Sequence, residues 1–164
     1  MKFFISKLYI WFDKGIKPRV ITFENNKVNV ITGSSSTGKS NIYAIIDYCL
    51  LSGRPNIVFP VINENASWYG LEFNVGDKFF AIARKRPTVD VVPPELYLQY
   101  EPFPDPFYPT SYNSHVNDAR RELDKAFGYK SNNELFYRSS FVFNALTENI
   151  ITSPYDFLNY KFYG

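Results

Sequence analysis

Apolar and polar residues alternate, cluster and break along the 164-residue chain in a way that marks out most of its elements. Phe3 to Phe12 is rich in aromatic and β-branched residues and predicts a strand. "FDKGIKP" (Phe12 to Pro18) is a turn with two lysines, and Arg19 to Phe23 a second strand. "ENNK" (Glu24 to Lys27) is a tight turn. The unbroken run "VNVIT" (Val28 to Thr32) predicts a buried strand. From Ser40 onward the spacing changes: Ile42, Ile45, Ile46, Cys49 and Leu50 form a helical stripe, with Gly53 as its stop and Pro55 just beyond. Ser67 to Phe73 and Lys78 to Lys85 flank "NVGD" (Asn74 to Asp77) and predict a hairpin. Glu95 to Tyr100 is a further strand. Residues 102–114 hold four prolines and predict no regular structure. Ser114 to Phe127 predicts a helix, with Ser114 as N-cap and Gly128 as stop. Phe136 to Phe143 is a strand or a buried approach to one.

Between the Val28–Thr32 run and the helix stands Gly33-Ser34-Ser35-Ser36-Thr37-Gly38-Lys39-Ser40. This is GxxxxGKS, the phosphate-cradling loop, in the strand–loop–helix order that the motif requires. The chemistry explains the spacing. Gly33 lets the chain leave the strand in a conformation closed to most residues. Ser34 to Gly38 turn their backbone N–H groups inward as an anion nest. Lys39 reaches the β- and γ-phosphates, and the Ser40 hydroxyl coordinates Mg²⁺. Asn41 follows on the helix, whose positive N-terminus points at the phosphates. ATP and Mg²⁺ are therefore the expected ligands, with Lys39 and Ser40 the residues closest to the chemistry. The competing reading is a Gly/Ser-rich turn that merely opens a helix.

Composition narrows the class. The length fits one domain, and a hydrophobic fraction of 45% suffices for a core. Aromatic residues reach 19%, with 16 Phe and 13 Tyr. Two accounts of that excess stay open: surface meant for another segment or subunit, or rings filling sheet faces, which they favour. A net charge of +2 does not demand nucleic acid. The single cysteine, Cys49, rules out an internal disulfide and is expected in the core. "MKFFISKLYIWF" opens like a signal peptide, but Lys7 interrupts it and no small-residue cleavage site follows. No apolar stretch reaches the roughly 20 residues that span a bilayer. A cytoplasmic location is expected.

The order of elements, with "VNVITGSSSTGKSNIYAIIDYCL" leading into a hairpin that ends in basic residues, resembles the N-terminal half of an SMC-, RecF- or RecN-like ATPase head. These are ABC-type P-loop ATPases. Gly38-Lys39-Ser40-Asn41, then Ala44-Ile45 and Leu50, carry the likeness, and "IDYCL" (Ile46 to Leu50) is similar to a poorly characterised bacterial group of SMC-like ATPases. The resemblance covers residues 1–86 well and 87–164 weakly. It implies an α/β fold: a P-loop NTPase lobe with a mixed sheet, an antiparallel β-hairpin subdomain and a few helices. Residues 1–86 would hold the strands, loop, helix and hairpin, residues 87–113 a Pro-rich connection, and residues 114–164 a helical segment and an inter-lobe loop. In such heads a glutamine in that loop helps hold Mg²⁺. The matching stretch, "FVFNALTENIITSP" (Phe141 to Pro154), has no Gln; Asn144 or Glu148 would be the oxygen ligand instead, or the stretch is an ordinary loop with no catalytic role.

The rest of such a head is missing from the sequence. No run of four apolar residues is followed by Asp-Glu, so no Walker B strand is present. "AIID" (Ala44 to Asp47) and "LSG" (Leu51 to Gly53) imitate a Walker B strand and a signature loop, yet both lie in the helix after the loop. The chain is thus expected to be a first lobe, inactive alone, whose partner is a second ATPase lobe or a homodimer mate. DNA repair, chromosome organisation and anti-phage defence all use such heads, so DNA is a further expected partner. Arg84, Lys85 and Arg86 would touch its phosphates, unless they are solvated. Lys14, Lys17 and Arg19 lie in a loop that approaches the nucleotide in similar heads, or form a solvated turn. His115 is expected at the surface. Two other classes compete: a small-molecule P-loop kinase, and a non-catalytic module that senses nucleotide or mediates assembly.

Overall fold

The computed structural model describes residues 2–13, 16–32, 38–53, 57, 65–88, 90–101, 108–129 and 137. The chain falls into two compact units, Met1–Arg120 and Arg121–Gly164, with the division inside a helix.

The first unit is built on one six-stranded sheet. Its strands are β1 (Phe3–Phe12), β2 (Arg19–Thr22), β3 (Ala66–Val75), β4 (Lys78–Lys85), β5 (Glu95–Tyr100) and β6 (Ser114–His115), in the order β2-β1-β3-β4-β5-β6. Every pairing is antiparallel. Helix α1 (Lys39–Cys49) packs against β3 and β4. Helix α2 (Val116–Ala126) follows β6 directly. The α/β character expected from the sequence is present. The mixed sheet is not, among the described residues, and the hairpin is no subdomain: β3 and β4 form the middle of the single sheet.

The cause lies in β1. Its aromatic and β-branched run aligns with nearly the whole of β3, from Phe3 opposite Val75 to Phe12 opposite Ala66. A bulge between Ile5 and Lys7 lets Ser6 stand out of register, where its Oγ donates to the Glu72 carbonyl at 3.0 Å. With β2 on one edge of β1 and β3 on the other, no slot remains there for Val28–Thr32. That segment is not a strand, and it is not buried: Val28 is 90% and Val30 74% exposed. The turn before it sets its course. Asn26 is left-handed (φ 58°), and the Asn29 side chain clasps the Glu24 peptide, accepting from its N–H at 2.8 Å and donating to its carbonyl at 2.9 Å.

The two sheet faces are filled differently. Leu8, Leu71, Phe73, Phe80, Ile82 and Leu98 are buried on the face that α1 covers, where Tyr48 meets Tyr69. On the other face Tyr9 and Trp11 stack (5.0 Å, 7° between planes) over Gly70, Ala81 and Ala83, whose small size makes room for the rings. Buried Glu72 lies on that face too, taking a 2.5 Å hydrogen bond from the Tyr9 hydroxyl and a 3.4 Å ion pair from Lys7. The β3–β4 hairpin closes through Gly76 (φ 60°), the positive φ that a type II′ turn requires at its first central residue.

At the far edge Asn113 acts as a piece of strand. Its side-chain amide accepts from Leu98 N–H and donates to the Leu98 carbonyl, both at 2.8 Å. Ser114 is not the helix cap that the sequence suggested, because it pairs with Leu96 in β6. The His115 Nδ1 instead accepts from the Asn117 N–H at 3.2 Å. Gly128 (φ 78°) ends α2 as expected, with Tyr129 N–H donating back to Asp124. In the second unit, the Phe127 and Tyr137 rings stack at 5.1 Å, and the Asp124 carboxylate accepts from the Tyr137 N–H. Apart from Tyr137, the Phe136–Phe143 stretch lies outside the described residues.

Candidate functional site

Three residues of the expected phosphate cradle fall within the described chain with their side chains: Gly38, Lys39 and Asn41. Gly33, Ser34, Ser35, Ser36 and Thr37 lie outside it, as do the Ser40 side chain and both candidate magnesium ligands, Asn144 and Glu148. Gly38 is left-handed (φ 83°, ψ 13°) and stands at the N-cap of α1. An L-residue resists that conformation, which accounts for a glycine here on backbone grounds alone. Asn41 N–H donates to the Gly38 carbonyl at 3.0 Å as the helix starts. Among the described residues no side chain caps this N-terminus, and no acidic residue stands in its first turn. The positive end of a helix favours a bound anion. Lys39, the first helical residue, is half-buried and Asn41 is buried. Among the described residues no group of three His, Cys, Asp or Glu side chains could hold a metal ion.

The opposite end of α1 is held by a buried arginine. Arg84 is 1% exposed. One terminal nitrogen donates to the Tyr48 and Ser52 carbonyls at 2.8 and 2.9 Å, and the other to the Pro93 carbonyl at 3.2 Å. Its guanidinium lies 4.0 Å from the centre of the Tyr48 ring. A cation bonded to the last carbonyls of a helix complements the negative end of the dipole. The expectation that Arg84 would touch nucleic-acid phosphates is corrected: strand alternation points it at α1, leaving Lys85 exposed and Arg86 half-buried.

The helix also ends earlier than the sequence suggested. Leu51 (φ 71°), not Gly53, takes the left-handed position, and Ser52 N–H donates back to Asp47. Burying Leu51 to 1% exposure offsets a backbone conformation that costs about 1–2 kcal/mol in an L-residue.

Burial around this anchor keeps its titratable groups neutral. Desolvation pushes the Tyr48 hydroxyl well above the usual phenol range, against the opposing pull of Arg84, and Tyr48 donates to the Lys85 carbonyl at 2.7 Å. Burial raises the Cys49 thiol and the Tyr69 hydroxyl in the same direction. Cys49 is thus a core residue, as expected, and a poor nucleophile.

Of the loop cations, Lys17 and Arg19 are exposed and Lys14 lies outside the described residues. His115 is half-buried, on the edge strand β6. Two features escaped the sequence. Arg84 was legible in principle, since Phe80, Ile82 and Arg84 share one phase of the alternation. The buried Tyr9–Glu72–Lys7 group was not, because its members meet only through the β1–β3 register. No family model, curated protein or solved structure matches the chain. Among the described residues, no helix is long and apolar enough to cross a membrane.

Proposed function

We propose that this chain is the ATP- and Mg²⁺-binding N-terminal lobe of an SMC/RecF-like ATPase head that acts on DNA. Hydrolysis then requires a second lobe and head dimerisation. The observation that carries the reading is the left-handed Gly38 immediately before a helix that begins at Lys39, within GxxxxGKS. The donor set fits a polyphosphate: a cationic side chain and an N-terminus with no acid in its first turn. Lys39 would hold the β- and γ-phosphates, and Ser40 would supply a hydroxyl to Mg²⁺. Bound Mg²⁺ would neutralise developing phosphate charge. The small-molecule kinase is disfavoured by the β3–β4 hairpin that follows α1. The non-catalytic module differs from the leading reading only in never acquiring turnover.

Titration calorimetry with Mg–ATP tests the site. Lys39→Ala is expected to weaken binding by more than about 1.5 kcal/mol, over tenfold, through loss of a charge-assisted contact. Equal affinity in the variant overturns the assignment. The chain alone should release negligible phosphate.

The exposed Val28–Thr32 segment supports the incomplete-lobe reading. Alternate apolar side chains at Val28 and Val30 fit a strand awaiting a partner. Light scattering at low micromolar concentration is expected to show self-association that Val30→Lys reduces. A monomer at all concentrations would count against it.

A further inference from the structure

A second candidate site lies on the sheet face opposite α1. Trp11 and Trp68 are direct partners in the β1–β3 pairing, so their side chains share a face. Tyr69, one residue on, points the other way and meets Tyr48 of α1 edge-on, with ring centres 6.3 Å apart. Beside the two indoles is a cavity of about 380 Å³, with Asp13, Lys17, Ser67 and Tyr108 also on its walls. That is the low end of the range for small-ligand sites. It is therefore sized for one ring system and its attachments.

The lining is unlike a closed core. Trp11 is 5% exposed and forms a fixed floor, held flat by its stack on Tyr9. Trp68 is only half-buried, and Tyr108 is 51% exposed. Trp68 is braced from one side by the Tyr112 ring, at 5.3 Å. Large aromatic faces rigidly supported beside an open cavity are the means by which proteins stack nucleobases without reading their identity.

Charge is arranged around this platform. Lys17 stands on the wall, in the loop leading from β1 to β2, and is exposed. On the opposite side, across β3, exposed Lys85 is the direct partner of Trp68. Cations thus flank the aromatic pair on both sides. Asp13 also lines the cavity, where a carboxylate would oppose a phosphate and would accept from a base N–H. The cavity accordingly suits the base, and its rim the backbone. A mononucleotide has one phosphate to offer two flanking cations, whereas a strand has one on each side of the base.

We propose that the Trp11–Trp68 cavity binds single-stranded nucleic acid, with one base stacked on the indoles and the adjoining phosphates on Lys17 and Lys85. The inference specifies the DNA part of the function proposed above and is independent of ATP, because Lys39 lies outside the cavity lining.

Trp11 and Trp68 are the only two tryptophans of the chain, so tryptophan emission, excited at the red edge where the 13 tyrosines do not absorb, reports on this site. Titration with a short oligothymidylate is expected to quench it saturably. Anisotropy of a labelled oligothymidylate then gives affinities. Trp68→Ala should weaken binding about tenfold, as loss of one base stack does, while Trp68→Phe retains most of it. Lys17→Ala and Lys85→Ala should each lower the salt slope by about 0.7. Lys39→Ala should bind the strand like the unaltered chain even where it loses ATP. Far-ultraviolet circular dichroism checks that Trp68→Ala folds, and Tyr108→Ala, at an exposed position, is expected to weaken binding as well. Absence of saturable quenching overturns the proposal. So does deoxythymidine monophosphate binding as tightly as the oligomer, or undiminished affinity in both Trp68→Ala and Tyr108→Ala.

Discussion

Replacing Arg84 with alanine is expected to destabilise the protein by about 3–5 kcal/mol, the large end of single-substitution effects, reached where a buried hydrogen-bond network is broken. The change removes the donors facing the Tyr48, Ser52 and Pro93 carbonyls and leaves those oxygens in a site where Arg84 itself is 1% exposed. The Tyr48 carbonyl keeps the Leu51 N–H at 3.1 Å, and each buried acceptor left without a donor costs about 1–3 kcal/mol. The cation over the Tyr48 ring is lost as well. Arg84→Lys should recover only part of the loss, because an ammonium cannot reproduce the planar fork that reaches carbonyls from both the end of α1 and the stretch before β5. Urea unfolding followed by circular dichroism measures the effect. Cys49, the one cysteine and fully buried, gives a second readout. Its thiol should resist a disulfide reagent at neutral pH in the unaltered protein and react in Arg84→Ala as the end of α1 opens. A midpoint shift worth less than about 1 kcal/mol would show that Arg84 is no anchor.

That anchor bears on the candidate phosphate site through the helix alone. Lys39 and the Arg84 contacts sit at opposite ends of the same eleven-residue helix. A helix of that length is stable chiefly through its tertiary contacts. Fixing its C-terminal end to β4 therefore helps to fix where its N-terminal dipole points. Arg84→Ala should consequently loosen ATP binding along with stability.

What the sequence made legible follows from what periodicity encodes. β1, β4 and β5 were readable to the residue because each carries its own dense run of aromatic and aliphatic residues between turn residues. Gly76 and Gly128 were readable as a turn and a stop because each takes a positive φ. Val28–Thr32 was not readable, since five apolar-rich residues specify an extended chain but not whether a neighbouring edge is vacant. Both edges of β1 are taken, one by a strand some sixty positions away, and local pattern carries no information about such pairings. The same gap hid the antiparallel course of the sheet. Gly53 is the stop that the sequence suggests for α1, yet buried Leu51 takes the left-handed position two residues earlier. As for the candidate site, its phosphate loop is legible as a motif, while the cavity beside Trp11 and Trp68 exists only once β1 lies against β3.

Gly70→Ala is expected to destabilise the protein by about 3 kcal/mol, at the upper end for overpacking a tight site. The sign is not the one that backbone propensity gives. A glycine inside a strand ordinarily costs about 0.5–1 kcal/mol relative to alanine, so the substitution would stabilise an open position. Here a Cβ would stand 2.6 and 2.7 Å from two carbons of the Trp11 ring and 2.8 Å from the Ile82 carbonyl oxygen. The oxygen belongs to the neighbouring strand and cannot yield without breaking the β3–β4 ladder. The ring cannot tilt away freely, because it is 5% exposed and stacked on Tyr9. Gly53→Ala is the control: a Cβ there meets nothing within 4 Å, and the change should be near neutral. Urea midpoints compare the two. Trp11→Leu in the Gly70→Ala background should restore part of the lost stability, giving a coupling of about 1–2 kcal/mol in a double-mutant cycle. A neutral Gly70→Ala would mean that the indole does not lie over Gly70, and the aromatic floor of the second site would go with it.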